Sequence, residues 1–202
     1  MEIRNAKTFE YFNKFIKDGD SILDVGCRDG ELNEYLKGKK DINYTGIDPC
    51  ASQNSRFIKS TIEEYESQGE KFDIISMSHV LEHTKSPFLA LEKSKEFLKP
   101  KGKILMAVPN IYTFKFLQVI PFNLKNYPKG NSGHYQEFTK MEIGNLCRDL
   151  KLKITHYKPQ GFECVLIKLP WGLQKILSKI FPWMSTELNF ILEKDNDQTS
   201  NK

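Results

Sequence analysis

Cysteine is scarce and scattered. The chain holds four, Cys27, Cys50, Cys147 and Cys164, with no C-x-x-C pair in 202 residues. That spacing excludes a disulfide framework and a zinc ribbon, and fits reduced, mostly packed thiols in the cytoplasm. Long apolar runs are lacking too, since none approaches the ~18 residues that a membrane span needs. Met1-Glu2-Ile3-Arg4 leads into an amphipathic pattern and not a signal peptide. No charge of one sign dominates: the net +4 does not by itself call for a nucleic-acid partner. Residues 145–181, with seven Lys/Arg against two acids, form the basic part. Histidine is rare as well, four in all, so its placement carries information.

What is present reads as one globular α/β domain over residues 1–193. With 39% hydrophobic and 28% charged residues, a sizeable core can form. Phe9, Phe12, Phe15 and Ile16 share one face of a helix over 6–17, with Gly19 as its C-cap. Strands are predicted at 21–25, 43–47, 56–59, 72–77, 103–108, 152–157 and 187–192. Between them lie helices at 30–37, 61–67, 86–98 and from 140, the last two opened by Ser86-Pro87 and by the capping box Thr139-Lys140-Met141-Glu142. Strands alternating with helices predict a mostly parallel sheet covered on both faces. Residues 110–138, rich in aromatics and without period, read as a lid or substrate loop; 194–202 reads as a flexible tail.

The densest information sits in Ile22-Leu23-Asp24-Val25-Gly26-Cys27-Arg28-Asp29-Gly30. An apolar run, an acid, a glycine turn and a helix start can serve a nucleotide-like ligand or be a plain turn. Three further stretches narrow it: Asn43–Asp48, Phe72–His83 and Leu98–Leu105. Together they resemble, in order, the motifs of the class I S-adenosylmethionine-dependent methyltransferases, in which a third glycine usually stands at position 28. The resemblance implies a Rossmann-like seven-stranded sheet with its last strand antiparallel. It also implies a cofactor site of Asp24 (near the ammonium), Gly26, Cys27 and Gly30 (methionine and ribose), Asp48 and Pro49 (ribose), Thr61 and Ile62 (adenine), and Ser78.

His79-Val80-Leu81-Glu82-His83 follows the fourth of the predicted strands, and His134 lies downstream. This H-x-x-E-H with a later histidine resembles the metal sites of quinone-biosynthesis O-methyltransferases and of small-RNA 2′-O-methyltransferases, where the first position is often glutamate. The resemblance makes His79, Glu82, His83 and His134 candidate ligands of a divalent transition metal, and His83, His134 and His79 candidate catalytic groups. His156 reads as a structural histidine.

Residues 166–184 form an amphipathic insertion. Leu173, Ile176, Leu177, Ile180 and Phe181 make an apolar face, flanked by Lys168, Trp171 and Trp183. Such a helix either packs on the sheet or touches a membrane surface through 168–183. The expected function is methyl transfer to a hydroxyl of a small-molecule, sugar or lipid-linked acceptor. RNA 2′-O-methylation and a catalytically inactive binding or scaffold protein are the alternatives.

Overall fold

The computed structural model describes residues 5–51, 57–111, 133–162 and 170–195, without the side chains of Trp171 and Lys175. Among the described residues five α-helices and six strands follow one another: α1 (Ala6–Phe12), β1 (Ser21–Val25), α2 (Glu31–Tyr35), β2 (Asn43–Ile47), β3 (Phe72–Ser78), α3 (Pro87–Phe97), β4 (Leu98–Pro109), α4 (Lys140–Asp149), β5 (Leu152–Gln160), α5 (Trp171–Ile180) and β6 (Glu187–Lys194). One sheet runs β2-β1-β3-β4-β6-β5. β2, β1, β3 and β4 are mutually parallel, and β6 is antiparallel to β4 and to β5.

Apolar residues on both faces of the central strands explain why this sheet must be covered twice. Ile104, Met106 and Val108 of β4 point into one core with Leu23, Val25, Ile75, Met77, Leu91 and Phe190. Leu105 and Ala107 point into the other with Ile22, Ile74, Ile191 and the α1 residues Phe9 and Phe12. The period of two thus splits one strand between two layers.

The described residues hold six strands, not seven. The segment expected as a strand at 56–59 contributes a single parallel bridge, Ile58 to Ile47. The helix expected over 61–67 is a turn closed by Tyr65 N–H to Thr61 O at 3.0 Å. Left-handed backbone at Gln68 and Gly69 forms a separate turn beyond it. α1 ends at Phe12, and Gly19 is not its cap but donates its N–H to Lys40 O at 2.9 Å. Both helix openings form: Ser86 Oγ accepts from Leu89 N–H, and Thr139 and Glu142 cap reciprocally. Lys194 and Asp195, expected in the tail, are anchored instead. Lys194 Nζ donates to Leu98 O at 2.8 Å and Asp195 N–H to Lys151 O at 3.0 Å. His156 is exposed on β5, an edge strand, with its ring 4.8 Å from that of Phe15. Residues 112–132 of the expected lid, 166–169 of the insertion, Cys164 and 196–202 of the tail lie outside the described residues.

Candidate active site

The C-terminal ends of β1, β2 and β3 open onto a cavity of about 680 Å³, at the position where parallel sheets leave room for ligands. Asp24, Gly26, Cys27 and Arg28 line it from the first turn, Asp48 and Pro49 from the second. Ser78, His79, Glu82, His83 and His134 form the far wall, and Asn5, just before α1, and Phe9 on it reach in. A second lobe of about 380 Å³ shares Gly26, Pro49, Val80 and His83 with the first and is lined by Thr61, Ile62 and Tyr135.

The first turn is tightly specified. Gly26 has φ +70°, and a Cβ there would lie 2.6 Å from Val80 Cγ2. Gly30 is not among the lining residues. It caps α2 at φ +79°, and a Cβ there would lie 2.4 Å from the Phe57 ring. Arg28, at φ +48°, adopts left-handed backbone with a full side chain. Its N–H is held by Asp48 Oδ2 at 2.9 Å, and Asp48 Oδ1 accepts from Cys50 N–H at 2.7 Å. Asp48 therefore joins two turns while lining the cavity. Asp24 is buried and accepts from Tyr44 Oη at 2.5 Å. Burial outweighs that bond and raises its pKa to about 7. Burial also pushes the Cys27 thiol up, so it is an inert lining group.

The far wall divides into two groups. His79, at φ +55°, turns the chain after β3. Its Nε2 lies 2.8 Å from Glu187 Oε2 and its Nδ1 3.4 Å from Glu82 Oε1. Burial opposes charge on this ring, but the two carboxylates prevail and raise its pKa to about 9. The same contact, with Asn189 Nδ2 at 2.7 Å and Thr8 Oγ1 at 2.9 Å, holds Glu187 below its ordinary value against the effect of burial. The second group is Glu82, His83 and His134, whose ligating atoms lie within 4.8 Å of one another. Glu82 is fully buried and, apart from the His79 contact, its oxygens accept no hydrogen bond; His134 Nδ1 is buried without a hydrogen bond, its nearest carboxylate oxygen being Glu137 Oε1 at 3.9 Å. His83 Nδ1 lies 3.1 Å from Gly133 O, which can only accept, so Nδ1 carries a proton and Nε2 is the ring nitrogen left for a ligand. Tyr135 N–H, bonded to Glu82 O at 2.8 Å, ties the His134 segment to this turn.

The structure thus brings Glu82, His83 and His134 together and pairs His79 with Glu187. Glu187 carries no local sequence signal. It reaches His79 only because β6 inserts between β4 and β5.

The chain matches the family model for a methyltransferase domain over residues 2–157. It is 30% identical over 167 residues to a ubiquinone biosynthesis O-methyltransferase of Actinobacillus pleuropneumoniae serotype 7, covering 72% of this chain and 70% of that protein. Among solved structures, a SAM-dependent methyltransferase of Archaeoglobus fulgidus superposes with a TM-score of 0.64 at 18% identity, covering 94% of this chain and 92% of the other. The 1,6-didemethyltoxoflavin-N1-methyltransferase of Burkholderia thailandensis gives 0.62 at 16% identity, over 96% and 78%. A matching family model over most of the chain, a relative at this identity and the shared fold agree. The chain belongs to the methyltransferase domain family and is an S-adenosylmethionine-dependent methyltransferase.

Proposed function

We propose that this methyltransferase acts on a hydroxyl of a small-molecule acceptor, with Glu82, His83 and His134 holding a divalent metal. The observation that carries the proposal is the buried Glu82 carboxylate converging with two imidazoles, its Oε1 met only by His79 Nδ1 at 3.4 Å and its Oε2 by no hydrogen bond. A buried carboxylate with one oxygen unbonded has room for a second cation beside His79. One carboxylate with two imidazoles suits a transition metal better than Mg²⁺. A relative named as an O-methyltransferase supports the hydroxyl.

The cofactor would lie across both lobes. Asp24 faces its ammonium, Asp48 accepts from the ribose hydroxyls with the lone pairs that Arg28 and Cys50 leave free, and Thr61 and Ile62 flank the adenine. Gly26 gives the backbone its close approach, and Cys27, Pro49 and Ser78 complete the wall. A bound divalent cation supplies Lewis acidity that lowers the pKa of an acceptor hydroxyl. His79, held protonated by Glu187, adds positive charge beside that point and is not a base. His83 and His134 orient the acceptor, so the reaction draws on positioning more than on covalent chemistry.

Metal analysis after dialysis against Mn²⁺ or Zn²⁺ tests the reading. About one ion per chain is expected, lost in a folded Glu82→Gln variant. No stoichiometric metal in the wild type would overturn the metal. Transfer of labelled methyl to RNA ends but not to a catechol would overturn the acceptor class.

A second observation concerns α5. No helix of the described residues is long and apolar enough to cross a membrane. Yet Leu173, Ile176, Ile180, Phe181 and Trp183 are exposed while Ser178 is buried, so these apolar side chains do not pack on the sheet. With Lys179 beside them, they fit peripheral contact with an anionic bilayer, as a lipid-linked acceptor would require.

A further inference from the structure

We propose that Arg28, standing where the motif ordinarily has glycine, binds the carboxylate of the cofactor's amino-acid end. The inference rests on the cofactor reading above and adds a specificity-determining residue to it.

Two observations lead there. The first is where the turn's backbone donors go. Gly26 and Cys27 N–H both donate to Ile47 O, at 2.8 and 3.1 Å, and Gly30 N–H to Cys27 O at 2.7 Å. Arg28 N–H is taken by Asp48. Four N–H groups of the turn are thus spent inside the protein, and none of them is left to cradle an anion.

The second is the charge lining the larger cavity. Asp24, Glu31, Asp48 and Glu82 supply carboxylates. They match the ammonium and the sulfonium of the methyl donor and repel its carboxylate. Among the described residues Arg28 is the only Arg or Lys on that wall; protonated His79 is already paired with Glu82 and Glu187, whereas the exposed Arg28 side chain makes no hydrogen bond or ion pair with any described residue. A planar guanidinium on a cavity-lining residue, with no partner among the described residues, is suited to bidentate capture of a ligand's one carboxylate. The left-handed φ of +48° is the conformational cost that glycine would avoid.

The test is calorimetric titration with S-adenosylhomocysteine and with its decarboxylated analogue, which keeps the ammonium and lacks only the carboxylate. The wild type is expected to bind the full ligand about 10-fold more tightly than the analogue. In Arg28→Gln that preference disappears through an about 10-fold loss for S-adenosylhomocysteine, with analogue affinity unchanged. Arg28→Lys recovers part of it. Circular dichroism and thermal unfolding verify that the variants are folded, and both keep the same backbone demand at position 28. Equal weakening of both ligands, or no change in either, would overturn the role of Arg28 and leave the cofactor site standing. A wild type that binds neither ligand would overturn the cofactor reading itself.

Discussion

Glu187→Gln isolates the pair that ties β6 to the loop after β3. In the wild type Glu187 Oε2 lies 2.8 Å from His79 Nε2, with side chains 14% and 30% exposed. An imidazole held at about 9 in the folded protein, against its ordinary value of 6.5, corresponds to about 3 kcal/mol at most. Solvent reaching the ring reduces that to about 2 kcal/mol. The sign follows from the direction. A raised histidine stabilises fully below its unfolded value and loses that contribution as pH rises through about 9. Glu187, held low, contributes above its unfolded value and fades as pH falls. The assay is urea unfolding of chelator-treated protein. Wild-type stability is expected to drop by about 2 kcal/mol between about pH 6.5 and 9.5, and Glu187→Gln by less than about 1 kcal/mol. Parallel pH curves for the two proteins would refute the pairing.

Asp24→Asn should have opposite effects on stability and binding. An acid raised to about 7 by burial is penalised increasingly from about pH 4 to 7, so the variant is expected to be more stable by about 2 kcal/mol at pH 8 while binding S-adenosylhomocysteine more weakly. Gly30→Ala meets Phe57 at 2.4 Å in left-handed backbone, and thermal unfolding should register a loss of about 3 kcal/mol. Flotation with phosphatidylglycerol vesicles should carry the wild type but not the Ile176→Asp/Ile180→Asp double variant. Wild type left at the bottom of the gradient would remove the membrane surface from the account.

Much of the site is local in sequence and was legible there. Asp24, Gly26 and Asp48 lie at strand ends whose apolar runs mark them, and the structure places all three on one cavity. Glu82, His83 and His134 were grouped by a motif, and the fold brings them together. His79 shared that motif, yet its ring pairs with Glu187, 108 positions away. No local pattern reports such a partner, because strand order and not spacing creates it. Strand β3 and strand β4 were readable from β-branched and apolar runs. The segment at 56–59 was not, since Ile58 alone meets the sheet. Capping chemistry located α3 and α4. The α1 periodicity outran the helix, because Phe15 and Ile16 reach their neighbours from turns just as well.

The central claim is a cofactor site built on Asp24, Gly26 and Asp48. Calorimetric titration with S-adenosylhomocysteine tests it most directly. The account predicts about one site per chain, weakened at least tenfold in Asp48→Asn, which loses acceptors for both the turn and the ribose. A folded wild-type protein that shows no binding would contradict it.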